Sequence, residues 1–308
     1  MVINFKARVQ RLVKRGGYRV WETSETTRVC DPARTALVLC DVWDRHTCRG
    51  AEERLARLLP GIAMLVERFR SAGALIVHAP SDTIDFYDGT PARERLLTVS
   101  RSVDASPPAD RPRKVPPLPI DATDPCDTCP DPDHPKHKKG MSYPWTRQHA
   151  AIGIDDACDV VSADGTELWK YYSARGIEEV FIAGVHTNMC ILNRTFAIKQ
   201  LVRWGFSPIL LRDLTDCMYN PAKPPYVSHE EATDLVVGYI EKFWCATASS
   251  VHISIGLAIR SMSKADSTHF MANSLSTRCS NTSGTTRMSW ETTTSTSVQP
   301  HSVWRRMR

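Results

Sequence analysis

With 308 residues, 42% of them hydrophobic, the chain holds enough apolar material for a sizeable core, which excludes a wholly disordered protein. Its formal net charge of +5 is mild, and the basic clusters from Lys6 to Arg15 and from Lys136 to Lys139 sit in no nucleic-acid-binding module, so no nucleic-acid partner is expected. No apolar run reaches the roughly eighteen residues of a membrane span and the first residues lack the apolar centre of a secretory signal, so no membrane partner and a cytoplasmic location are expected, with most of the ten cysteines as reduced thiols.

Residues 1–30 read as an N-terminal extension, a solvated strand or helix. The first strand expected is Ala36-Leu37-Val38-Leu39-Cys40, which ends on Asp41. From Pro60 to Ala72, Ile62, Leu65, Val66 and Phe69 share one helical face, and Ala74 to His78 follows as a second strand after Gly73. The stretch from about 100 to 146 is rich in proline and charge and interrupts the pattern as an insert. Within it Cys126 and Cys129 precede His134 and His137, but only four residues separate the two pairs where a zinc finger needs about twelve, so no metal is expected. A helix from about Thr166 to Arg175 stops at Gly176, and the apolar run from Glu179 to Gly184 reads as a buried strand. A helix beginning near Cys190, a strand from Pro208 to Asp213 and a helix from about His229 to Trp244 complete the alternation. Such alternation predicts an α/β fold, a three-layer α/β/α sandwich with a mostly parallel sheet of about six strands. The alternating domain is expected to span 31–253. From 254 to 308 serine and threonine replace the apolar periodicity, which fits either disorder or a shifted reading frame.

In an open parallel sheet chemistry gathers at the carboxyl ends of the strands, and both Asp41 and Cys190 follow strand candidates. A cysteine at a helix start meets unpaired amides that favour the thiolate, and a carboxylate in a partly dry pocket can take its proton. The same positions also suit a small buried residue and a turn cap.

Asp41-Val-Trp-Asp44 and Gly184-Val-His-Thr-Asn-Met-Cys190, with the segment from Asp164 to Ile177 between them, resemble the isochorismatase-like family of cysteine hydrolases, which includes nicotinamidases. The resemblance runs from about Thr35 to Val251 and implies a Rossmann-like topology, Cys190 as nucleophile and Asp41 as its base. It also implies a cis peptide bond at Val185-His186, which would aim the backbone amides of His186 and Cys190 at an oxyanion. Family members that cleave the vinyl ether of isochorismate lack the cysteine, so the implied target is an amide or related carbon-nitrogen bond in a small molecule, without a cofactor. The family's catalytic lysine has no clear counterpart. Its spacing lands near Arg147 and His149, either of which is the expected positive partner, though a surface ion pair and a strand cap are the plainer roles. The family's D-x-H metal element is replaced by the segment from His78 to Asp85, so no orienting metal is expected. Trp43, His46, His186 and Asn188 are the candidate substrate-binding residues, with core packing and turn satisfaction as the alternatives. Two other readings stay open: a metal-dependent hydrolase using His46, His78, Asp82 or the Cys126 to His137 loop, and a catalytically silent module that binds a partner. A homo-oligomer is the family-level expectation.

Overall fold

The computed structural model describes residues 1–129, 133–134 and 142–257. Six strands form the parallel heart of the sheet: β3 (Thr35–Cys40), β4 (Leu75–Ala79), β5 (Val160–Val161), β6 (Glu179–Val185), β7 (Ile209–Asp216) and β8 (Ala246–Ala248). An antiparallel hairpin, β1 (Val2–Arg15) and β2 (Tyr18–Cys30), extends one edge, and β9 (Ser254–Gly256) pairs with β1, so the sheet has nine strands in the order β2-β1-β8-β7-β6-β3-β4-β5 with β9 beside β1. The expected parallel core is therefore present, and three antiparallel strands at its edge make the sheet larger than the sequence suggested. Residues 1–30, expected as an extension, form two of those edge strands, β1 and β2, and Ile3, Phe5 and Ala7 are buried in the core.

Strands buried on both faces explain the continuous apolar runs. In β3 the residues alternate between two cores. Leu37 and Leu39 pack under α1 (Arg49–Ala72) with Ile62, Leu65 and Phe69, while Ala36, Val38 and Cys40 face the opposite helices. Those are α2 (Pro91–Ser102), α3 (Gly165–Arg175), α5 (Ile198–Trp204) and α6 (His229–Phe243), contributing Leu96, Leu168, Leu201 and Val236. Helix, sheet and helix form three layers.

Helix α1 begins eleven residues before the expected start and carries Pro60 in its interior. Pro60 and Ala56 both lie on the water side, so the carbonyl that proline leaves unpaired is solvated, while Leu55, Leu59 and Ile62 continue the buried stripe. The insert has no regular element from 103 to 146 among its described residues. It runs over α5 and α6, where Arg111 donates its backbone N–H to the Arg203 carbonyl and the Tyr239 hydroxyl donates to the Pro116 carbonyl at 2.8 Å, then turns toward the strand ends. Its return is fixed by a backbone bridge between Gln148 and Trp43. His137, the basic cluster from Lys136 to Lys139 and the tail beyond 257 lie outside the described residues.

Candidate active site

The carboxyl ends of β3 and β6 deliver Asp41 and Cys190 to one place. Strand β6 approaches β3 so closely at Gly184 that a Cβ there would lie 2.1 Å from the Cys40 carbonyl oxygen, and Gly184 has φ +115, so this turn requires glycine. The Val185-His186 peptide bond that follows is cis. Cys190 then opens α4 (Cys190–Asn193), a single turn. A helix this short has little macrodipole, so the thiolate-stabilising helix end anticipated from sequence is not what surrounds the sulfur.

What surrounds it is a charged triad. Asp41 is fully buried. Its Oδ1 accepts the Ser81 backbone N–H at 2.8 Å, its Oδ2 accepts Arg194 Nε at 3.0 Å, and the Cys190 thiol stands beside the carboxylate, close enough for each to shift the other's titration. Arg194 reaches on to Asp82, Nη2 to Oδ2 at 3.0 Å. Its own backbone N–H donates to the Cys190 carbonyl at 3.0 Å, so the single turn of α4 is what sets guanidinium and thiol side by side. Burial pushes Asp41 above the ordinary carboxylate range, opposed chiefly by Arg194. Burial and then the Asp41 charge push the Cys190 thiol up to about 12. Burial alone would lower Arg194, but Asp41, Cys190 and Asp82 outweigh it and hold the guanidinium firmly charged. These shifts favour the neutral thiol over a preformed thiolate beside Asp41.

A cavity of about 510 Å³ opens over Cys190. One wall is an aromatic ladder: Trp43 stacks on Trp145 at 4.2 Å and Trp145 on Tyr143 at 4.1 Å. The Trp43 indole N–H is spent on the Ser81 carbonyl at 3.0 Å, which fixes the ladder against the triad loop. His46 and His186 meet across the cavity floor, Nε2 to Nε2, at 3.3 Å. Burial drives His46 down to about 4 and His186 well below its ordinary value, so both imidazoles are neutral. The Cys48 backbone N–H donates to His46 Nδ1 at 3.0 Å, which leaves the His46 proton on Nε2, donated to His186 Nε2. Met189, Met218 and Pro125 complete the apolar lining.

Cys190, Asp41, Trp43, His46 and His186 thus converge as the sequence anticipated. Arg147 and His149 do not join them. Arg147 is exposed with its guanidinium over the Phe86 ring at 5.5 Å, and His149 turns back on its own loop, where Nδ1 accepts the Ala151 N–H at 3.1 Å. The cation paired with Asp41 is Arg194, which the spacing of the resembled family could not locate because it is supplied from the same turn as Cys190. Its one sequence signal is a basic residue four positions after the cysteine. Asn188 is likewise not at the cavity: its side chain donates to the Met218 carbonyl and accepts the Met218 N–H, both at 2.9 Å, and so ties the nucleophile loop to the end of β7. The residues of the metal reading point to different places. His78 is buried between Gln148 and Asp159, each at 2.9 Å, Asp82 serves Arg194, and His134 pairs with Glu52 at 2.6 Å. Among the described residues no group of three or more histidine, cysteine or acidic side chains is arranged to hold a metal ion.

No family model matches the sequence, and neither does any curated protein. Among solved structures the chain is similar to a cysteine hydrolase from Pseudomonas syringae pv. phaseolicola, with 17% identity and a TM-score of 0.44 over 72% of this chain and 91% of that one. It is also similar to an isochorismatase from Pseudomonas putida, with 9% identity and a TM-score of 0.42 over 72% and 91% of the two chains. An isochorismatase family protein from Burkholderia thailandensis matches with 15% identity and a TM-score of 0.39 over 71% and 93%.

Proposed function

We propose that this chain is a cysteine hydrolase of the isochorismatase-like kind that cleaves an amide or related carbon-nitrogen bond of a small molecule through an acyl-enzyme on Cys190. The observation that carries the proposal is the buried contact of the Cys190 thiol, the Asp41 carboxylate and the Arg194 guanidinium at the floor of a cavity. Asp41 takes the thiol proton as sulfur bonds to the carbonyl carbon, so the negative charge passes from the carboxylate to the carbonyl oxygen without a free thiolate. The backbone N–H groups of Cys190 and His186 hold that oxyanion. As the carbon-nitrogen bond breaks, protonated Asp41 returns its proton to the leaving nitrogen. A water then repeats the sequence on the thioester, with Asp41 again as base. Arg194 keeps its charge throughout; it holds Asp41 ionised and in place, and carries no proton.

The absence of a recognisable lysine motivated the reading as a silent module, and Arg194 supplies the missing charge. A cysteine favours acyl chemistry over vinyl-ether cleavage. The test is a screen of small amides: on any amide turned over, Cys190→Ala is expected to abolish turnover and Asp41→Asn to lower it about 100- to 10,000-fold. Full turnover in either variant sinks the mechanism.

A further inference from the structure

Outside the triad, two more sulfurs meet at the cavity wall. Cys48 caps the N-terminus of α1 and is 1% exposed; Cys126, in the insert, lines the cavity and is half-buried. They belong to one small apolar cluster with Ala51 and Met218. Both reach the same hydroxyl, Thr128 Oγ1, at 3.7 Å from Cys48 Sγ and 3.3 Å from Cys126 Sγ, and the Cys48 thiol also donates to Asp127 Oδ1 at 3.5 Å. The backbones are held at this distance by independent contacts. Gly50 lets the insert seat on α1, since a Cβ there would lie 2.6 Å from Asp127 Oδ1, and Arg54 of α1 grips Asp127 through two nitrogens at 2.6 and 3.2 Å.

We propose that Cys48 and Cys126 are a reversible dithiol–disulfide site that staples the insert to α1 beside the cavity, with a small-molecule disulfide such as oxidised glutathione as oxidant. Only Cys126 is open enough to make the first attack. Its sulfur bonds to one glutathione sulfur and expels the other as a thiolate, which takes up the Cys126 proton. Cys48 then attacks the Cys126 sulfur of the mixed disulfide, the Cys48–Cys126 bond forms, and a second glutathione leaves with the Cys48 proton. Two protein thiols and one glutathione disulfide become one protein disulfide and two glutathione thiols. Burial, and after it the neighbouring Cys126 thiol, push the Cys48 thiol up to about 11, so Cys48 is the poorer first nucleophile and acts on a partner brought to it. Cys129 is exposed and is the competing partner for Cys126.

The site does not depend on chemistry at Cys190. Full-length protein is equilibrated in oxidised glutathione, digested without reduction and mapped by mass spectrometry. The expected product is a Cys48–Cys126 crosslinked peptide that disappears on reduction, with a higher melting temperature for the oxidised protein. C48S is expected to stop at a glutathione adduct on Cys126 with no rise in melting temperature. Should C48S fail to fold, C126S must lose both crosslink and adduct at this site. A Cys126–Cys129 crosslink, a parent protein that stops at the glutathione adduct, or a fully reduced pair overturns the proposal.

Discussion

Arg194 lies 3.0 Å from the buried Asp41 carboxylate, and in the proposed mechanism this contact sets the pH range of activity. In the proposed mechanism Asp41 must be ionised to accept a proton, and its folded value is raised, so activity is expected to fall as pH drops through a value above the ordinary 3.9 or so. Arg194→Gln removes the largest opposing charge. The acidic limb of the kcat/KM profile then moves to higher pH, whereas Arg194→Lys keeps a charge and holds the limb near its original place; equal limbs in the two variants would contradict the role. At this scale the sequence was half legible. That Cys190 and Asp41 lie at neighbouring strand ends could be read because each follows an apolar run, a signal local to its own strand. Arg194 could not, because its position depends on how one turn of α4 faces a carboxylate 153 residues away. Asn188 misled for the opposite reason: a polar residue on the nucleophile loop looks the same in sequence whether it meets substrate or the backbone of Met218.

The elements around the site are fastened by two close packings. At Gly184, alanine would be forced into φ +115 and into the Cys40 carbonyl, which costs about 3 kcal/mol or more. A urea titration of Gly184→Ala is expected to show that loss, whereas Gly153→Ala, with nothing within 4 Å of the added carbon, should change stability by less than about 0.5 kcal/mol. The second fastening joins the insert, β7 and α6. Burial alone would depress His229, but its bonds to Asp127 at 3.4 Å and Asp216 at 3.0 Å prevail and raise it to about 9. A value above the unfolded one of about 6.5 means the unfolded state binds fewer protons between the two. The stabilisation is fully present below about pH 6.5 and is lost as pH rises through about 9. His229→Gln should flatten that part of the stability curve measured by denaturant titration; an unchanged slope would remove His229 as its source. Helix α6 itself was readable from its capping residue and apolar stripe, since Ser228 and Glu231 close a capping box at its start. The network beneath it was not, because Asp127 comes from an insert with no periodicity to place it.

For the molecule as a whole, the hairpin decides how large the folded unit is. Ile3, Phe5 and Ala7 lie in the same core as Leu37 and Phe181, while the far half of the hairpin is largely exposed. Deleting residues 1–30 should abolish cooperative melting followed by circular dichroism, whereas shortening the turn end between residues 11 and 22 should leave it intact. Equal melting of the two deletions with the parent would return 1–30 to the status of an extension. The sequence disguised these strands because their alternation is diluted by charge, and because the partner that completes their pairing, β8, is three residues long. The parallel core was legible for the converse reason: strands buried on both faces write unbroken apolar runs. Among the described residues no helix is long and apolar enough to cross a membrane. Everything above converges on one cavity floored by Cys190. The most direct test is acyl transfer from p-nitrophenyl acetate, read as a burst of nitrophenolate and as the site of acetylation by mass spectrometry. A single acetyl group on Cys190, with the burst lost in Cys190→Ala and slowed in Asp41→Asn, is the predicted result; a burst that survives Cys190→Ala, or acetylation only elsewhere, would contradict the account.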